Sequence, residues 1–423
     1  MTTILFLSFI VLVLLGVPIA FTLGISSLLA INYQGTIPLT VVFQRTFTAI
    51  DSFPLLAIPF FMMAGSLMNT GGVSKRLIEF ANAVVGHLVG GLAYATAVAS
   101  MLFAAVSGSG GATTSAIGSM LVPALIKKGY RKDFASALQA ASGSLGVIIP
   151  PSIPFVLYGF MSGVSISRLF LAGIIPGMLV TSLLMGFSYL SVRKQDIPLD
   201  DRVPFGELFK RFLQAFPALM MPGIILGGIF TGTFTPTEAA VVAVVYGLLV
   251  GRFYYKELSL QNIFVALREA AVSTAVVLML LAMATSFAWI MTSELIPQQV
   301  AGFLQDTAPN AIVFLIFVNI VLLILGTFIE TTPALVLAVP ILVPVAQVFG
   351  VDLIHFGVIM VLNLAIGMIT PPLGLTLFIA CNISGVPLSK MFRTIIPFIF
   401  VMIAALLIVT FVPSLSLYIP GLM

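Results

Sequence analysis

Charge is scarce in this sequence. Lysine, arginine, aspartate and glutamate make up 8% of its 423 residues, while 60% are hydrophobic, a balance far outside that of a water-soluble domain. Thiols are scarcer still. A single cysteine, Cys381, excludes an intrachain disulfide and a thiolate metal centre. Nowhere does a glycine-rich loop end in Gly-Lys-Ser/Thr, so the chain has no cradle for the phosphates of ATP. It also lacks a basic stripe interleaved with aromatics, which excludes nucleic acid as a partner. Work done by this protein must therefore draw on an ion gradient or on another chain.

Apolar sequence is abundant. Runs such as Ile4 to Ala30, Ile312 to Leu325 and Ile395 to Val412 carry almost no charge, and a chain with this many of them spans a membrane several times. The start Met1-Thr2-Thr3 has no basic n-region, and no small-residue cleavage site closes the stretch that follows, so it reads as a retained first span. The net charge of +4 then informs loop placement.

The sequence repeats itself. At an offset of 221 residues, Leu121-Val122-Pro123 pairs with Leu342-Val343-Pro344, Gly129 with Gly350, Gly146 with Gly367, Pro150-Pro151 with Pro371-Pro372, and Pro176 with Pro397. A looser pair, Pro18 and Pro236, lies 218 apart. Helix breakers rarely coincide on one offset, so the chain is expected to hold two structural repeats.

Lysine and arginine in short loops mark the cytoplasmic side. Five clusters are placed inside: Lys75-Arg76, Lys127-Lys128 with Arg131-Lys132, Arg193-Lys194 through Arg211, Arg252 through Arg268, and Lys390 with Arg393. The matching stretches of the second half, Glu294 to Asp306 and Gln347 to Asp352, contain neither residue and are placed outside. The first half, 1–192, is then expected to cross five times, near 3–17, 18–34, 53–71, 133–162 and 168–192. An amphipathic surface stretch covers Val73 to Val85, and a re-entrant hairpin covers 88–127 with its tip at Ser107-Gly108-Ser109-Gly110-Gly111. After a cytoplasmic connector, 193–216, the second half, 217–423, enters inverted, because five is odd. It crosses near 217–232, 235–251, 270–291, 355–385 and 394–418, and its hairpin, 309–348, turns at Gly326-Thr327-Phe328-Ile329-Glu330. The expected architecture is an all-α polytopic membrane protein with two inverted-topology repeats, about ten spans and two re-entrant hairpins, and both termini outside.

Irregular backbone survives at membrane depth only inside protein or beside a polar cavity. The two tips qualify, as do two spans broken by proline pairs, Ser142 through Ser152 and Asn363 through Pro372. Carbonyls freed there, with serine and threonine hydroxyls, form a hard neutral oxygen cage suited to a small alkali cation, while helix N-termini at the breaks favour a carboxylate. Small residues at such tips also allow close helix packing. Glu330, a charge at membrane depth, is a candidate for binding a cation, a proton or a substrate. Glu238 reads as part of a helix cap with Thr235 or Thr237. His87, His355, Trp289, Tyr254 and Tyr255 read as interfacial residues.

These residues resemble the large, DctM-type membrane subunit of tripartite ATP-independent periplasmic (TRAP) transporters along essentially the whole chain. The likeness is carried by Asp51 through Phe61, Met68-Asn69-Thr70-Gly71-Gly72, Ser107-Gly108-Ser109, Ile149 through Pro154, Phe234 through Ala239, and Thr370-Pro371-Pro372. The resemblance implies an elevator-type carrier in the bacterial inner membrane, of the ion transporter kind. Sodium would be the coupling ion, with no other cofactor. A soluble periplasmic binding protein would deliver a small organic acid such as a C4-dicarboxylate or a sialic acid. A small four-helix membrane subunit, expected as a separate chain, would complete the system. One sodium site would then use Ser107, Ser142, Gly146 and Pro150, the other Gly326, Gly367, Met368 and Thr370. Substrate would meet Ser109, Ser152 and Glu330, the last where some relatives place aspartate. Two rival readings from the residues are an ion channel and an intramembrane serine hydrolase using Ser107, Ser109 or Ser142 with a histidine base.

Overall fold

The computed structural model describes residues 1–195, 197–308 and 310–423. Asp196 and Pro309, the latter expected as the first residue of the second hairpin, lie outside them. Among the described residues all regular structure is helical. Eight helices are long and apolar enough to cross a membrane. Six of these match expected spans, and two, Ala311–Phe328 and Thr331–Val348, form the second hairpin. The first two expected spans are the shorter helices Thr2–Leu14 and Ile19–Gln34.

Local chemistry sets the breaks. The first hairpin rises through Gly91–Ser107, turns at Gly108, whose φ of +60° suits a residue without Cβ, and returns through Gly110–Lys127. Its partner turns through extended Ile329 and Glu330. The first broken span runs Lys132–Gly143, tightens into a turn at Ser144–Val147, passes the Pro150-Pro151 pair and resumes at Ile153–Ser162. The second runs Leu353–Gly367, passes Pro371-Pro372 and resumes at Leu375–Ser384. Helix boundaries keep the sequence offset: Gly110–Lys127 and Thr331–Val348 both start and both end 221 residues apart (110 to 331, 127 to 348).

The halves interlock. Leu375–Ser384 packs on Gly110–Lys127 and Lys132–Gly143, while Ile153–Ser162 packs on Thr331–Val348, so the second half-helix of each broken span lies against the other half's hairpin. Outside this group, Phe53–Thr70 packs against Pro236–Leu249 and Leu260–Ser293. The last of these contains neither glycine nor proline and runs unbroken for 34 residues, about 51 Å at 1.5 Å per residue.

Several expectations need correction. The helix expected near 217 begins at Phe205, so the whole second half of the connector is helical. An additional helix, Thr40–Ile50, precedes the third span. His355 is buried inside the protein, with Nδ1 2.6 Å from the Ser416 hydroxyl and Nε2 3.3 Å from the Thr410 carbonyl. The chain breaks at Pro413 and folds Ser414–Leu417 back onto it. Tyr255 is also buried. Its ring lies 3.8 Å beneath the Arg76 guanidinium and its hydroxyl donates to Gln214 O. Glu238 and Thr235 form the expected capping box.

Asp133 joins the halves at one surface. It pairs with Arg131 and accepts a hydrogen bond from Thr394 Oγ1 at 2.9 Å. Asp133→Asn, which weakens both contacts, is expected to cost about 1 kcal/mol at neutral pH, allowing for partial exposure, read as a lower midpoint in thermal unfolding.

Candidate functional site

The two hairpin tips meet at a cavity of about 310 Å³. Ser109 and Glu330 line it from opposite tips, with Met368 from the second break and Met62 and Ser273 from the two long helices outside the hairpin group. Four helices begin on its wall: Gly110–Lys127 after Ser109, Ile153–Ser162 after Ser152, Thr331–Val348 after Glu330, and Leu375–Ser384 after Gly374. Their positive dipole ends converge on one space; the N–H groups of Ile153, Thr376 and Leu377 already donate to Gly108 O and Met368 O, which leaves the starts at Gly110 and Thr331 as the main source of free N–H groups among the described residues. This arrangement attracts an anion.

A second cavity of about 310 Å³ shares Met62, Ser109, Ile153 and Ser273 with the first and extends to Ser107, Asn69 and Glu269. Glu269, almost three turns into Leu260–Ser293, accepts a hydrogen bond from Ser66 Oγ at 2.9 Å. The sequence left it at the edge of the Arg252 to Arg268 cluster. Because the helix starts at Leu260 and has no breaker, that edge lies inside the long helix.

Around the first tip, the oxygen atoms are concentrated. Ser107 Oγ lies 2.8 Å from Thr113 Oγ1, which donates to the Ser109 carbonyl at 2.9 Å. Gly146 faces the same carbonyl so closely that a Cβ would overlap the Ser109 oxygen and come within 2.7 Å of Thr113 Oγ1. Ser142 is fully buried and, among the described residues, its hydroxyl has no hydrogen-bond partner. A hydroxyl in that condition is costly unless something polar meets it. Pro150 is buried in the same break.

Around the second tip, Gly326 packs on Gly367, where a Cβ would come within 2.7 Å of the Gly326 Cα. Thr370 Oγ1 donates to Ile366 O at 2.7 Å, and the Met368 carbonyl already accepts from Thr376 Oγ1 at 2.8 Å and from the Thr376 N–H at 3.1 Å. Asn363, which no motif singled out as a site residue, sits 221 positions after Ser142 (363 − 142) and shares its condition. Its Nδ2 donates to the Asn319 side chain at 2.9 Å, and its buried Oδ1 has no partner among the described residues. The repeat offset was the signal that identifies it. Ser152 does not line the cavity, because its hydroxyl donates to Val147 O at 2.6 Å. Among the described residues, no histidine hydrogen-bonds Ser107, Ser109 or Ser142.

Residues 6–415 match the family profile described as the tripartite ATP-independent periplasmic transporter, DctM component. The chain belongs to the DctM family. Among its DctM relatives, the C4-dicarboxylate TRAP transporter large permease protein of Pseudomonas aeruginosa is 41% identical over 400 residues, covering 95% of this chain and 94% of that one. The isethionate TRAP transporter permease protein DctMQ of Oleidesulfovibrio alaskensis is 44% identical over 426 residues; the match takes in 99% of this chain and 66% of the longer relative. In shape the DctM chain is similar to the YdaH transporter of Alcanivorax borkumensis, with a TM-score of 0.65 at 15% identity over 92% of this chain and 88% of that one. That likeness concerns the fold alone.

Proposed function

We propose that this DctM-family permease imports a small organic acid by sodium symport. A C4-dicarboxylate or a sialic acid is the candidate cargo, released to it by a soluble periplasmic binding protein and carried through the inner membrane with a small membrane subunit as partner. One observation carries the reading: four helix N-termini and two hairpin tips converge on one cavity. An acid's carboxylate takes the N–H groups of that wall, with Ser109 and Glu330 fixing the rest of the molecule. Sodium takes the neutral oxygens behind each tip. Ser142 and the carbonyls near Gly146 and Pro150 serve one ion. The backbone around Gly326, Gly367 and Thr370, with Asn363 Oδ1, serves the other.

Because the same tips hold both cargoes, the substrate site is complete only when the ions are present, which is the coupling a symporter needs. The halves 1–192 and 217–423 lie inverted with both termini periplasmic. The hairpins and broken spans move as one body past the long helices. The interlocked packing of half-helices supports movement as a unit. A channel needs no such closed oxygen sites, and a hydrolase needs a base beside its serine.

Uptake of labelled acids into proteoliposomes holding the permease and its small partner tests the proposal. Uptake is expected only with both an inward sodium gradient and the binding protein, and uptake indifferent to both overturns it. Ser142→Ala is expected to raise the sodium concentration for half-maximal uptake about tenfold, the worth of one buried polar contact. Ser144→Ala, whose hydroxyl is occupied by Ala141 O at 2.8 Å, is the matched control.

A further inference from the structure

Away from the transport cavity, a pocket of about 710 Å³ opens where the loop entering the first broken span meets the loop entering the last long helix, Leu388–Phe411. Four cations line it, Arg131, Lys132, Lys390 and Arg393, against one carboxylate, Asp133. That carboxylate is taken by Arg131 and Thr394. Among the described residues Lys132, Lys390 and Arg393 make no ion pair, leaving an excess of three positive charges. The helices Lys132–Gly143 and Leu388–Phe411 both begin at this pocket and add their N-terminal N–H groups to the same field.

An apolar track leaves the pocket along the last helix. Phe392, Ile396 and Phe400, four residues apart and so on one face, are 39%, 47% and 66% exposed. A cationic pocket at the membrane surface that continues into an exposed apolar stripe matches an amphiphile with an anionic head. A free phosphate satisfies the cations and leaves the stripe unused.

We propose that this pocket binds the phosphate headgroup of an anionic phospholipid, whose acyl chains lie along Phe392, Ile396 and Phe400. The head bridges Lys132 of the first half to Lys390 and Arg393 of the second, adding to the Asp133 to Thr394 link. The proposal rests on the chain spanning a membrane and not on what it transports.

The test is lipid binding by the purified permease with its small partner, followed by native mass spectrometry and thermal unfolding. Phosphatidylglycerol and cardiolipin are compared with phosphatidylcholine and with inorganic phosphate. Lys132→Gln, Lys390→Gln and Arg393→Gln together are expected to weaken anionic-lipid binding about a hundredfold, at roughly fivefold per charge, with phosphatidylcholine binding unchanged. Arg393→Gln alone, at an exposed position, is expected to weaken it about fivefold. Equal anionic-lipid binding by wild type and variants overturns the proposal. So does inorganic phosphate that binds and fully displaces the lipid, which makes the pocket a site for a soluble anion.

Discussion

Alanine at Gly146 is expected to reduce sodium-driven uptake by about tenfold to a hundredfold, the range set by overpacking costs of roughly 1–3 kcal/mol. The added Cβ overlaps the Ser109 carbonyl oxygen, so the backbone of the first tip has to move. That carbonyl also holds Thr113, and through it Ser107, so the shift displaces several oxygens together. Affinity for sodium should fall before affinity for the acid. Gly186→Ala supplies the control, since a Cβ there meets nothing within 4 Å and the long helix Ile166–Val192 accepts alanine readily. Sodium titrations of uptake with the two variants decide the matter: a Gly146→Ala protein with wild-type sodium dependence removes Gly146 from the ion site.

Glu330→Gln is expected to lower uptake of the preferred acid about tenfold to a hundredfold, the worth of one hydrogen bond to a charged group. The glutamate faces the cavity at the start of Thr331–Val348 and gives that helix no side-chain cap, so its carboxylate is not spent on its own helix start. Glutamine keeps the reach and removes the charge. Glu330→Asp keeps the charge and shortens the reach, and should shift the preference among acids. Measuring sodium affinity and acid affinity separately in both variants assigns the carboxylate. A change confined to sodium affinity would make Glu330 an ion ligand and refute its role toward the acid.

The hairpins were legible because their turns are written in residues with few alternatives. Within Ser107 through Gly111 the helix stops at Gly108, which takes a left-handed conformation, and restarts after Ser109. The proline pairs marked both broken spans for the same reason. What escaped the sequence is tertiary. Charge alone places Glu269 with its basic neighbours, and only the start of its helix at Leu260 carries it into a cavity with Ser107 and Ser109. His355 stands near a loop, yet the fold-back at Pro413 brings Ser416 against it. Ser152 fits the motif by position, but its rotamer serves Val147. Position in a motif fixes where the backbone goes more firmly than where a hydroxyl points.

The convergence of four helix starts on one cavity has a consequence for how such a permease changes over generations. Attraction supplied by main-chain N–H groups is encoded in the path of the chain, and no single codon removes it. Side chains at the wall are then free to drift from one cargo to another while the pull on negative charge is retained. On the proposed function, a duplicated gene would inherit that pull on negative charge, and only the fine choice of guest would remain for mutation to find.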